Sequence, residues 1–366
     1  MLAMLGTSAE PGRLTILHHF AGSGGGGLLI VSGSTLYGTT DPRWIEEKPK
    51  LFKINTDGSG YTVLREGPVR PKILIGSTFY GTAPHTVIRM NTDGSGFTEL
   101  HKFTDKSIPC AMVISNSVLY GVTAHGGSRN VGSLFKVNCD GSGFTNLYSF
   151  EDRSYQLRNP ILLEGRNGKI FRTYATCPGY DPCHTLAISG SDLYGMTQYG
   201  GGWHGGVLFR INCDGSGFTN LYYPYVRFDR ECSLTLAGTN IYATTAASIF
   251  KINTDGSGYT NLHSFIGGIA DGATPYGPLV LSGSSIYGVT RRGGSHGGGV
   301  VFRINCDGSG YTNLHSFVGV FEARDYVNTI HPDRGLVLSG TSLYGVTQDV
   351  LKYGLGGVIF KVNIAP

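Results

Sequence analysis

The side chains of this 366-residue sequence that could hold or transform a ligand are spread along the chain. They are Trp44, His125, Tyr199, Trp203 and His204, Arg291, Arg292 and His296, and Arg324, His331 and Arg334. Aromatic faces beside Arg and His suit sugars and acidic ligands: the ring covers the apolar face of a sugar, and a guanidinium takes a carboxylate through paired hydrogen bonds. These residues are the expected ligand-binding set. Histidine and tyrosine could also act as acid and base next to a carboxylate neutralised by arginine, the chemistry of a lyase or hydrolase on an acidic glycan. Taken singly, each is as readily a solvated loop residue.

Ready-made catalytic signatures are missing. There is no Gly-x-Ser-x-Gly elbow, His-Glu-x-x-His or paired Cys-x-x-Cys. Asn305, Asp307 and Ser309 have the spacing of a calcium loop, but its twelfth position is Ser316, where a bidentate Glu is required. The glycine runs at 200–206 and 293–299 lack the Lys-Ser/Thr end of a phosphate loop, so tight connectors at positive φ explain them better. No cofactor and no metal are expected. Of the seven cysteines, Cys139, Cys213 and Cys306 share one repeat position with Thr56, Thr92 and Thr254, which suggests small half-buried side chains. Cys177 and Cys183 could close a short disulfide loop in an oxidising compartment.

The elements that must position these residues are repeats. Val301–Phe317 reads strand, Asp-Gly-Ser-Gly turn, strand, and recurs from Leu51, Val87, Leu134, Leu208 and Ile249. Before each copy stands a second strand pair with a Tyr-Gly core, at Tyr37, Tyr80, Tyr120, Tyr194, Tyr242 (followed by Ala243), Tyr287 and Tyr344. Four antiparallel strands in roughly 40–50 residues are a propeller blade. The expected fold is therefore all-β, a seven-bladed β-propeller forming one domain over residues 1–366. The last repeat stops at Asn363, before its fourth strand, and Leu14–Phe20 matches that strand, so the N-terminal strand is expected to close the last blade. Residues 151–184 break the rhythm and read as a hairpin insertion; an eighth, half-built blade is the alternative.

Within a blade, loops joining strands 1–2 and 3–4 lie on one face and loops joining strands 2–3 and 4–1 on the other. The first set is short and nearly invariant. The second varies and holds the chemistry-bearing residues, so function is expected there. Trp203, His204, Arg291, Arg292 and His296 are Gly-flanked and able to lean toward the propeller axis.

Leu119-Tyr120-Gly121-Val122-Thr123, Gly126-Gly127, Phe135–Gly141 and Phe144–Phe150 together resemble the GloVer-type (Gloeobacter/Verrucomicrobia) tandem repeat. The resemblance extends over most of the chain. It implies a bacterial propeller, extracellular or at the cell surface, and no particular activity. The leading expectation is a module that binds a carbohydrate or another surface polymer. An acidic-glycan enzyme and a protein-interaction scaffold are the alternatives, so the partner is a glycan or small molecule, or else a protein. A net charge of +4 without a Lys/Arg block gives no nucleic-acid footprint, and no apolar run is long enough to span a membrane. Met1–Pro11 lacks the basic start and apolar core of a signal peptide.

Overall fold

The computed structural model describes residues 12–20, 25–41, 48–105, 107–151, 161–164, 170–173, 179–201, 205–229, 231–318, 330–349 and 357–364. Among these, all regular structure is strand. Seven antiparallel sheets of four strands, the first with the two-residue strand Gly25–Gly26 added, make the chain a seven-bladed β-propeller. In blade 6 the strands are Gly272–Ser282, Ser285–Gly293, Gly297–Asn305 and Thr312–Val318, hydrogen-bonded in chain order. Two compact units divide the chain. One holds Met1–Glu66 with Phe265–Pro366, and the other Gly67–Ser264.

The repeated motifs have local physical causes. In the Asp-Gly-Ser-Gly turn of blade 6, Ser309 donates from its backbone N (2.9 Å) and its hydroxyl (2.7 Å) to the Asp307 carboxylate. Asn305 Nδ2 donates to the same hydroxyl at 3.0 Å, and Gly308 at φ +89° lets the chain reverse. The turns at Asp57, Asp93, Asp140, Asp214 and Asp255 repeat this closure. The carboxylate is spent on its own turn, as expected for a structural element.

The Tyr-Gly core is a packing device. A Cβ on Gly121, Gly195, Gly288 or Gly345 would come within 2.3–2.5 Å of the Phe ring tip on the third strand of its own blade. The missing side chain makes room for Phe135, Phe209, Phe302 and Phe360, all fully buried. Blade 2 has Ile88 in place of the Phe, and there Gly81 instead faces the Arg70–Pro71 backbone.

The N-terminal strand closes blade 7 as expected. Leu14–His19 pairs with Val358–Asn363, Leu14 opposite Val362 and Ile16 opposite Phe360. Phe20 N donates to Gly357 O, and the Phe20 ring is buried. In the irregular region, Ile161–Glu164 and Ile170–Thr173 pair as a separate two-stranded sheet. The first strand of blade 4, Tyr180–Ser189, begins inside the stretch assigned to an insertion. Cys183 lies in that strand as a free, buried thiol whose Sγ contacts Asp229 O at 3.3 Å, so it closes no disulfide; Cys177 lies outside the described residues. Cys139, Cys213 and Cys306 are free and half-buried. No helix among the described residues is long and apolar enough to cross a membrane.

Candidate functional site

The loops between second and third strands of blades 3, 4 and 6 share one glycine skeleton. Gly126, Gly127 and Gly132 in blade 3, Gly200, Gly201 and Gly206 in blade 4, and Gly293, Gly294 and Gly299 in blade 6 all have positive φ, at identical spacing. The last glycine of each set abuts a backbone carbonyl of the second strand: Thr123, Thr197 or Thr290. Only glycine combines that φ with that approach. The skeleton therefore fixes the loop backbone and leaves the residues between the glycines free to differ.

In blade 6 this loop and the loop preceding the first strand wall an open cleft of about 490 Å³, lined by Ile269, Arg292, Ser295 and His296 among glycines. Behind it, the Arg291 guanidinium lies 4.4 Å from the centre of the Tyr276 ring, a cation–π contact that orients the charge. Arg291 is half-buried, and Arg292 and His296 are exposed. His296 accepts from or donates to Ser295 Oγ at 2.8 Å and lies near His315.

The first strand of blade 7, Ile330–Ser339, brings the His331 side chain near the backbone of Arg291 and Gly298. Burial holds the His331 imidazole below the usual histidine value. The Arg291 and Arg292 charges push it the same way, against backbone contacts to Gly298 and Arg291. Its Nδ1 is buried with no hydrogen-bond partner. Arg334, three residues on, sits at φ +63°, with its backbone against Gly277. A non-glycine residue in that region is uncommon and concentrates at functional sites.

Blade 3 builds a related cleft of about 650 Å³ from the equivalent loops, with His85, Lys102, Asp105 and Asn130 at its wall. The Asp105 carboxylate is pushed up by burial, but hydrogen bonds from Ser107 and Gly127 outweigh this and hold it low. His85 Nδ1 meets Ser107 O at 2.8 Å.

Of the residues expected from sequence, the structure gathers Arg291, Arg292 and His331, with His296 at the cleft rim and Arg334 farther along the His331 strand. His125 and Tyr199 belong to the other compact unit. His125 is a half-buried residue of the blade 3 loop, and Tyr199 stacks on Tyr180 at 5.2 Å. Trp44, Trp203, His204 and Arg324 lie outside the described residues. Fourth-strand aromatics join neighbouring blades. His18 stacks on Tyr61 (3.9 Å), His101 on Phe144 (3.4 Å) and Tyr148 on Phe218 (4.5 Å), each bonding one blade to the next.

Sequence reasoning missed the His184 Nδ1–Glu231 Oε1 pair (3.0 Å), which joins the first strand of blade 4 to the loop entering blade 5. His184 sits where the repeat rhythm fails, so no register pointed to it. Lys102, Asp105 and Asn130 were missed because single polar residues after a buried Phe or between glycines carry no pattern. Among the described residues no cluster of three or more His, Cys, Asp or Glu could hold a metal ion.

Residues 233–366 match the family model of the Gloeobacter/Verrucomicrobia repeat. That C-terminal part of the chain carries the repeat, and the chain as a whole is similar to the GloVer-type repeat propellers. Solved structures share its fold at low identity. An oligogalacturonate lyase in complex with manganese is 11% identical, with a TM-score of 0.57, covering 98% of this chain and 94% of the lyase. A puromycin-hydrolyzing peptidase of Mycobacterium tuberculosis is 11% identical, with a TM-score of 0.58, covering 98% of this chain and 55% of the peptidase. The AfRom2 CNH domain is 9% identical, with a TM-score of 0.57, covering 97% of this chain and all of that domain. The chain therefore spans only about half of the peptidase's length. Such likenesses establish the fold alone. A search of curated proteins finds no match.

Proposed function

We propose that this propeller is a binding module for an acidic carbohydrate or surface polymer, held by the loops that join strands 2–3 and 4–1. The observation that carries this reading is the Arg291–Tyr276 stack with Arg292 alongside and His331 close enough to feel both charges. A stacked guanidinium has lost much of its freedom before any ligand arrives, so it takes a carboxylate at lower entropic cost. The glycine skeleton supports the reading by keeping large side chains from covering the cleft. Calorimetric titration with a glucuronate oligosaccharide and its neutral counterpart tests it. Arg291→Gln with Arg292→Gln should cost about 1–3 kcal/mol of affinity for the acidic ligand. Added salt should mimic the loss. Equal binding of acidic and neutral forms by the unmodified protein overturns it. The reading goes with an extracellular or cell-surface location, which fractionation of the native cells would check.

A second reading is favoured by His331. A neutral imidazole beside two guanidinium groups can accept the proton next to a carboxylate that the arginines neutralise, the first step of β-elimination from a polyuronate. Its test is the ultraviolet absorbance of an unsaturated uronate product. Product formed by the unmodified protein and lost in His331→Asn would make the propeller a lyase.

A further inference from the structure

Two aliphatic side chains of the loop that walls the arginine cleft are left exposed. Ile266 is 87% and Ile269 79% exposed, and Ile269 lines the cleft together with Arg292 and His296. Both stand on the loop between the buried Phe265 and Gly272, and that loop is pinned along its length. The Phe265 ring packs on Phe302 at 5.4 Å. Ile266 N donates to the Asp271 carboxylate at 2.8 Å, and Gly294 N donates to Gly268 O (2.9 Å) and Asp271 O (2.8 Å). Asn313 Nδ2 holds Ala270 O at 3.1 Å. Gly267 and Gly268 take positive φ between the two isoleucines. A loop so tethered cannot turn its isoleucines inward, so they are presented to solvent by design of the backbone.

The repeat itself shows that this aliphatic character is not required for folding. The residue after the equivalent buried Phe is Thr104 in blade 3 and Glu151 at the end of that blade's last strand. A third exposed aliphatic, Val318, pairs with Gly297 at the other wall of the cleft and is 55% exposed. Blade 6 thus sets fixed, exposed aliphatic surface directly against a cationic cleft, and surface of that kind marks a binding site when it adjoins polar recognition groups.

We infer that the ligand of this cleft is amphiphilic: an acidic saccharide bearing an alkyl or acyl chain, its carboxylate at Arg292 and its chain across Ile269 and Ile266. This rests on the acidic-carbohydrate reading above and narrows it. Covering the two isoleucines removes apolar area from water without any ordering cost on the protein side, because the loop is already held.

The experiment is calorimetry on the full chain with three probes below their micellar concentrations: methyl β-D-glucuronide, octyl β-D-glucuronide and octyl β-D-glucoside. Octyl glucuronide should bind about tenfold or more tighter than methyl glucuronide, the gain expected from burying roughly two methylene groups or more against the loop. Ile266→Ser with Ile269→Ser, at exposed positions, should leave the melting temperature unchanged and bring octyl and methyl glucuronide to equal affinity, erasing the octyl gain. Equal affinities for the two glucuronides, or an octyl gain that survives in the double variant, overturn the inference. Octyl glucoside binding as tightly as octyl glucuronide would leave the aliphatic contact standing and overturn the acidic-ligand reading. If neither glucuronide binds, both fall.

Discussion

Blades 3 and 6 make the same loop backbone and put different chemistry on it. Both have paired glycines followed by a third at the same spacing, and both form an open cleft against the preceding loop. In blade 6 the acidic residue of that preceding loop, Asp271, is buried and bonded to Ile266 N, and the cleft is left to Arg292 and His296. In blade 3 the carboxylate of Asp105 stands at the wall with Lys102 and His85. The frame is determined by backbone hydrogen bonds and positive φ, which tolerate no change. The groups it carries make few contacts with it and can change without cost to folding. That separation is how one repeat can serve different ligands on a constant scaffold.

If frame and carried groups are separable, damage to the frame should be large and independent of ligand. Deleting residues 1–20 strips the fourth strand from blade 7 and with it the buried Phe20. Stability should fall by more than about 5 kcal/mol, since burial of one such Phe is worth about 3–5 kcal/mol. Denaturant melts with size-exclusion chromatography will show it, and an unchanged monomeric melt would break the assignment of the clasp. Next in size, Gly299→Ala forces a side chain at φ +91° against the Thr290 carbonyl. It should cost about 2 kcal/mol or more in chemical denaturation.

Changes to the carried groups should spare stability and alter binding. Arg292→Glu should weaken an acidic saccharide by about 1–3 kcal/mol at an unchanged melting temperature, whereas Lys102→Glu in blade 3 should leave that affinity alone. Equal losses from both would mean that the two clefts share one acidic ligand. A smaller effect belongs to His331. Its imidazole is held below the ordinary value of about 6.5, so it is neutral in the free protein at pH 7. A bound carboxylate favours the protonated form and raises the pKa. The complex then takes up a proton, and affinity should rise as pH falls from 7 toward the lowered value of the free imidazole, a slope that His331→Asn abolishes. Without ligand the sign reverses for folding: the depressed value means that stability present above about pH 6.5 is lost as pH falls toward the folded-state value. The smallest effect is expected at Gly283, where φ is +57° but nothing lies within 4 Å. Gly283→Asn should cost less than about 0.5 kcal/mol, because Asn tolerates this conformation and meets no neighbour.

The order of the strands, the seven blades, the hairpin turns and the N-terminal clasp were legible in the sequence. Each depends on short-range signals: alternation, Asp-Gly-Ser-Gly, and a missing strand at one end matched by a spare one at the other. The Tyr-Gly motif was legible as a repeat but not as a cause, because the ring that needs the glycine's space lies on the neighbouring strand. Nothing local in the sequence marks His18 and His101 as stacking on the next blade's aromatics; that comes from the packing. The candidate site was legible only as a list. Arg291 and His331 are 40 residues apart by their numbering, and no periodicity links them. What joins them is that the second strand of one blade and the first strand of the next end side by side, a proximity that belongs to the tertiary structure. The same holds for the burial that keeps His331 neutral and for the hydrogen bonds that hold Ile266 and Ile269 in water. Local sequence sets backbone conformation through sterics and turn chemistry, whereas desolvation and convergence arise only once distant strands have packed.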